Sequence, residues 1–165
     1  MCADSNGNVY ICGGTASRDF PTTPGAYDRT FHFGDTSGDG DKRLYSEGVN
    51  RTLDGRIRYT GTHAYAKSPG NTILLNEWQH IALTWSRTTN TTRLYHNGTE
   101  VPYATQDIGT GTPQDDTDYP FTIGARGALG PVTFLNGLLD ELRLYRRPLA
   151  APEIRNLYSS SPSQQ

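Results

Sequence analysis

Residues 76–101 read NEWQHIALTWSRTTNTTRLYHNGTEV, and this stretch decides the fold class. Ile81, Leu83 and Trp85 alternate with His80, Ala82 and Thr84, which predicts a strand with one strongly apolar face. Leu94 to Val101 then places Asn97-Gly98 between two strand-forming runs. Both residues tolerate the positive φ of a type I′ turn, so this is the strongest short hairpin signal in the chain. Neighbouring strands here are antiparallel.

Further strands follow on either side. Leu53-Asp54-Gly55-Arg56 reads as an Asp-Gly hairpin, with Ile57 and Tyr59 alternating after it. Phe121 and Ile123 mark another strand, and Leu138 to Tyr145 a longer one in which Leu138, Asp140, Leu142 and Leu144 share a face. Near the N-terminus, Val9 and Ile11 alternate with Tyr10 and Cys12 between Asn6-Gly7 and Gly13-Gly14. One helix is predicted, over residues 151–158: Pro152 suits its first turn, and Ile154, Leu157 and Tyr158 fall on one side. The tail SSSPSQQ is polar and loose. Many short strands with one terminal helix predict an all-β, antiparallel β-sandwich of the jelly-roll kind.

Composition agrees. Among 165 residues are 18 Gly, 10 Pro and 10 Tyr, with 34% apolar and 19% charged residues. That suits one turn-rich β domain. No apolar run approaches the roughly 20 residues that span a bilayer, so membrane insertion is not expected. The net charge is −2, and the densest basic cluster, Arg143, Arg146 and Arg147, sits beside Asp140 and Glu141. No basic patch points to nucleic acid. Cys2 and Cys12 permit a local disulfide in an oxidising compartment but make no framework.

The segments NEWQHIALTW, TRLYHNGTEV, FTIGA and FLNGLLDELRLYRRPLAAPEIRNLY resemble the bacterial laminin G-like, concanavalin A-like jelly-roll family. Trp78, His80, Leu94, Tyr95, Asn97, Gly98, Gly137, Asp140, Glu141, Tyr145, Leu149, Glu153, Ile154, Leu157 and Tyr158 match its pattern. The resemblance spans residues 31–158 and implies a non-enzymatic, extracellular or cell-surface module that binds carbohydrate or a surface protein. Residues 3–28, DSNGNVYICGGTASRDFPTTPGAYD with its preceding Ala3, are similar to one bacterial β-propeller repeat of the SBBP type. One repeat cannot close a propeller. The expected division is therefore a repeat-like segment 1–30, a sandwich 31–158 and a flexible tail 159–165. The family's opening strands are not evident before Leu44, so the sandwich looks short of one or two strands. An incomplete sheet suggests an alternative: a filament subunit whose strand Val9, Tyr10, Ile11 and Cys12 is donated to a neighbouring copy, forming a homopolymer.

Several constellations are candidates for a site. Asp140 and Glu141 are adjacent, so on a strand they face opposite ways and do not form the carboxylate pair of a glycosidase. Catalysis is not expected. Asp35, Asp39 and Asp41 in one loop, with Asp140, are candidate calcium ligands; the same loop Asp residues also serve as ordinary turn formers. Asp115, Asp116 and Asp118 form a second acidic loop. Asp140, pointing with apolar neighbours, is read as a buried hydrogen-bonding hub or else as a ligand for calcium or sugar. Tyr59, Tyr65, Tyr95 and Tyr119, with Tyr103, either stack on sugar rings or cap the core. Asn50, Asn90 and Asn97 open Asn-x-Thr sequons and are glycosylation candidates. No cofactor beyond calcium is implied.

Overall fold

The computed structural model describes residues 11–13, 32–34, 42–47, 49–115, 122–124, 135 and 137–160. The described residues form an antiparallel β-sandwich of two sheets with a C-terminal helix, as the sequence predicts. One sheet contains β1 (Ile11–Gly13), β6 (Ile81–Ser86), β7 (Thr91–His96), β8 (Thr99–Glu100) and β11 (Arg143–Leu144), in the order β11-β1-β6-β7-β8. The other contains β2 (His32–Gly34), β3 (Lys42–Glu47), β4 (Thr52–Ile57), β5 (Ala64–Lys67), β9 (Thr105–Asp107) and β10 (Thr122–Ile123), in the order β10-β2-β3-β4-β5-β9. Helix α1 spans Ala151–Ser160.

The alternation in the sequence becomes the core. Ile81, Leu83 and Trp85 from β6 and Leu94 from β7 pack against Leu44, Leu53, Ile57, Ala64 and Ala66 of the facing sheet. Asn97 and Gly98 turn the β7–β8 hairpin with φ of 48° and 75°, as their sequence predicts. On the back of the five-stranded sheet, Ala82 and Tyr95 form a second apolar cluster with Leu149 and Ile154, closed by Tyr145 and Leu157. Ile154 is fully buried, so the apolar side of α1 covers this sheet. Glu153 fastens the helix start: its carboxylate accepts the Ala150 N–H at 2.8 Å and pairs with Arg147.

Three expectations are corrected. Asp54-Gly55 is no hairpin turn but the middle of β4, which pairs with β3 along its whole length. The glycine is needed there because a Cβ would lie 2.4 Å from Leu83 Cδ1 and 2.8 Å from Leu94 Cδ2 of the opposite sheet. The run Leu138–Tyr145 yields only the two-residue β11. Asp140 Oδ1 accepts the Glu141 N–H and Glu141 takes φ of 50°, which breaks the extended path. Asp140 is consequently exposed, as are Leu138, Leu139, Leu142 and Leu144, and it is no buried hub.

The N-terminal strand does join the sandwich. Ile11 pairs with Leu83 on one side and Leu144 on the other, so β1 lies inside the sheet, between β6 and β11.

Candidate functional site

The outer face of the six-stranded sheet follows from its register. In β4, Leu53, Gly55 and Ile57 face the core, which turns Thr52, Asp54 and Arg56 the other way. Opposed residues of an antiparallel pair share a face. Arg43 therefore stands beside Arg56, Arg56 beside Tyr65 and Tyr65 beside Asp107, making one row across four strands. A second row runs Tyr45, Asp54, Lys67 and Thr105.

The two rows interlock. Asp54 is 1% exposed and has three partners on this face. The Tyr65 hydroxyl donates to its Oδ1 at 2.6 Å, Thr52 Oγ1 donates to Oδ2, and Lys67 Nζ stands 3.7 Å away. A buried carboxylate is tolerated only with such partners, and in return it fixes the Tyr65 ring. A hydrogen bond joins the Tyr45 and Tyr65 side chains. Burial, reinforced by the bond to Asp54, pushes the Tyr65 hydroxyl well above the usual phenol range, so it remains a donor. The Arg43 guanidinium lies over the Tyr45 ring, 5.1 Å from its centroid.

These side chains border an open depression of about 420 Å³ lined by Tyr45, Arg56, Gly61, Thr62, His63, Tyr65 and Asp107. Its chemistry is that of a polyol or anion site: two half-buried phenol rings, guanidinium donors and a carboxylate acceptor on a rigid sheet. The Thr62 N–H bonds Thr110 Oγ1 at 2.8 Å, tying the β4–β5 loop to the segment after β9.

Among the described tyrosines singled out for sugar stacking, the structure brings Tyr65 to this surface. Tyr59 and Tyr95 are 1% and 2% exposed. Tyr59 takes the Trp85 indole N–H at 3.0 Å and donates to Asn90 Oδ1 at 2.9 Å; it is part of the core. Tyr95 sits under α1 with Ile154 and Leu149. Tyr103 donates to Glu100 at 2.7 Å on the other sheet. Tyr119, Asp35, Asp39, Asp41, Val9 and Tyr10 lie outside the described residues. Among the described residues no three His, Cys, Asp or Glu side chains converge as a metal site. Asn50 is exposed, whereas Asn90 and Asn97 are half-buried and their side-chain carbonyls accept from Tyr59 and from the His80 N–H.

Arg43, Tyr45, Asp54, Arg56, Lys67 and Asp107 were not singled out in the sequence. The signal was the alternation in KRLYSE and LDGRI, where Arg43, Tyr45, Asp54 and Arg56 interleave with Leu44, Leu53 and Ile57. Reading Asp54-Gly55 as a turn hid it.

Solved structures share the fold. The CBM40 of the Ruminococcus gnavus IT-sialidase bound to α2,3-sialyllactose superposes with a TM-score of 0.60 at 16% identity, covering 92% of this chain and 82% of that one. The NanB sialidase of Streptococcus pneumoniae gives 0.65 at 16% identity over 93% of this chain and 24% of that one. A heptameric SAP-like pentraxin from Limulus polyphemus gives 0.57 at 15% identity, over 94% and 72%. No curated protein matches the chain. Among the described residues no helix is long and apolar enough to cross a membrane. The Laminin_G_3 family model, of the concanavalin A-like lectin/glucanases superfamily, matches residues 20–155, and the chain belongs to that family.

Proposed function

We propose that the chain is a non-enzymatic carbohydrate-binding module that works outside the cell or at its surface and takes glycans on the open face of the six-stranded sheet. The observation that carries this reading is the pair of adjacent rows Arg43–Arg56–Tyr65–Asp107 and Tyr45–Asp54–Lys67–Thr105, of which Tyr45, Arg56, Tyr65 and Asp107 line one depression. Half-buried tyrosines offer rings to a sugar's C–H face, and guanidinium and carboxylate groups offer donors and acceptors to its hydroxyls. The site is shaped before the ligand arrives, because Asp54 already holds Tyr65. The CBM40 bound to sialyllactose supports this reading by its shared fold. A glycan array probed with the full chain is the test. Retention of defined glycans by the native chain, lost in Tyr65→Ala and kept in Tyr103→Phe on the other sheet, supports the reading. Equal retention by Tyr65→Ala, or no glycan retained at all, overturns it.

A second reading is favoured by β1. A three-residue strand inserted between β6 and β11, rather than added at an edge, completes the sheet. The same register accepts that strand from a neighbouring copy, which would link subunits head to tail into a filament and give the SBBP-like segment 1–30 its use. Electron micrographs at neutral pH distinguish the two: filaments that a synthetic peptide of residues 4–16 shortens support strand donation, and monomers indifferent to the peptide dismiss it.

A further inference from the structure

We propose that the saccharide taken in this depression is a neutral one, held through protons that its hydroxyls donate, with Asp107 as the residue that selects it; this rests on the reading of the face as the glycan site. The phenols that line the depression offer acceptors rather than donors. A phenol has one proton to give, and a carboxylate only accepts. Tyr65 gives its proton to Asp54 Oδ1 at 2.6 Å. In the hydrogen bond between the Tyr45 and Tyr65 side chains the Tyr65 oxygen is therefore the acceptor, and Tyr45 spends its proton there. Both phenols are left with ring faces and lone pairs for a ligand. The buried Asp54, which Thr52 and Lys67 also partner, holds that direction.

Other donors at the rim are committed in the same way. The Gly61 N–H bonds the Thr110 carbonyl at 3.0 Å, and the Thr62 N–H bonds Thr110 Oγ1 at 2.8 Å. Arg56 and His63 already have interactions within the protein. Asp107 differs. It is exposed on β9, directly opposite Tyr65, and no described residue gives its carboxylate a hydrogen bond or an ion pair. An open carboxylate accepts two hydroxyl protons at once from neighbouring positions of a sugar ring, while the ring's C–H face lies on a phenol such as Tyr65. Hydrogen bonds to an ionised acceptor are about twice as strong as neutral ones. A sugar acid brought to the same place sets like charges side by side and leaves Asp107 without the protons it accepts.

Isothermal titration of the full chain with two matched pairs is the test: lactose against 3′-sialyllactose, and digalactose against digalacturonate. At least one neutral sugar is expected to bind at least about fivefold more tightly than its acidic counterpart, and the gap should narrow as salt screens the repulsion. Asp107→Asn keeps the shape of the side chain and removes its charge. That variant should melt with the native chain, bind the neutral sugar severalfold more weakly and lose most of the gap. An acidic counterpart that binds as tightly as the neutral sugar, or a gap unchanged in Asp107→Asn, overturns the neutral assignment; retention on the array that depends on Tyr65 then keeps the glycan reading. Should none of the four sugars bind, the array decides. Neutral glycans retained by the native chain and released by Asp107→Asn support the assignment, and retention of acidic glycans, or of neutral ones equally by Asp107→Asn, overturns it. No retention at all overturns the glycan reading with it.

Discussion

The two sheets of this sandwich use their outer faces in opposite ways. Behind the five-stranded sheet, Ala82 and Tyr95 are roofed by Leu149 and Ile154, and the face has become a second core. Behind the six-stranded sheet, Tyr45, Arg56 and Tyr65 stand half-exposed around a depression, with Arg43 beside them. Both faces begin as the off-core half of alternating strands. Among the described residues what separates them is the helix: α1 follows β11 and lies against β8, and it roofs the five-stranded sheet. A sandwich gains stability on the face it covers, whereas polar side chains on an uncovered face contribute mainly through their own hydrogen bonds, as those of Asp54 do.

The largest expected effect breaks the covered face. Ile154→Ala should cost about 2–5 kcal/mol, because a fully buried methyl-rich side chain leaves a cavity under α1. Urea unfolding checks it, and a loss under about 1 kcal/mol would mean that the helix is not part of the folding unit.

Next is a pH effect confined to the same side. His80 lies against the Tyr158 ring of α1, 6.0 Å between centroids. Burial, with Arg143 and His96 nearby, holds its imidazole down at about 4 against an ordinary 6.5, while Glu141 opposes that shift. Between those values the unfolded chain binds the proton and the folded chain does not. Stability should therefore be complete above pH 6.5 and fall by about 2–3 kcal/mol as pH drops toward 4. Glu153, held down to about 2 by Arg147 and the Ala150 N–H, contributes below this window, from 4.5 downward. The gap between urea midpoints at pH 7 and pH 4.5 should narrow in His80→Phe, the remainder belonging to His96, whose imidazole burial also pushes down; an unchanged pH slope in that variant would assign the effect elsewhere.

Between the sheets, Gly55→Ala should cost about 1–3 kcal/mol, since the new methyl meets Leu83 and Leu94. If the melting temperature does not move, the sheets are further apart at β4 than the structure places them. The smallest stability effect belongs to the open face. Tyr65→Phe removes one of three partners of Asp54 and should cost about 1 kcal/mol, with Thr52 and Lys67 retained. Its effect on glycan affinity should be larger in proportion, and a glycan titration beside a thermal melt reads both. A variant that loses stability but no affinity would place the ligand elsewhere.

Local patterns carried the parts of the fold that local physics decides. Period-two alternation in Ile81–Trp85 marked β6, Asn97-Gly98 marked a hairpin, and Pro152, Ile154 and Leu157 marked α1, because strand faces, turn conformations and helix stripes are properties of a few consecutive residues. The candidate site was hidden for the opposite reason. Asp54-Gly55 has the composition of a turn, and only the approach of Leu83 and Leu94 explains a glycine inside a strand. Asp140 failed similarly: its alternation with leucines was real, but its own carboxylate captured the next backbone N–H and broke the strand. Tyr59, Tyr65 and Tyr95 have equal claims as residues, yet one is core, one is surface and one lies beneath a helix.

The sequence by itself determined that this chain is a turn-rich, antiparallel β-sandwich with a terminal helix, since alternation, turn residues and capping are written in adjacent positions. Only the tertiary structure decided which outer face would be roofed by α1, that β1 would enter between β6 and β11, and that Arg43 would stand beside Arg56. Those outcomes depend on strand register and on the packing of elements distant in sequence, and a period of two specifies which side a residue faces but not which neighbour it meets there.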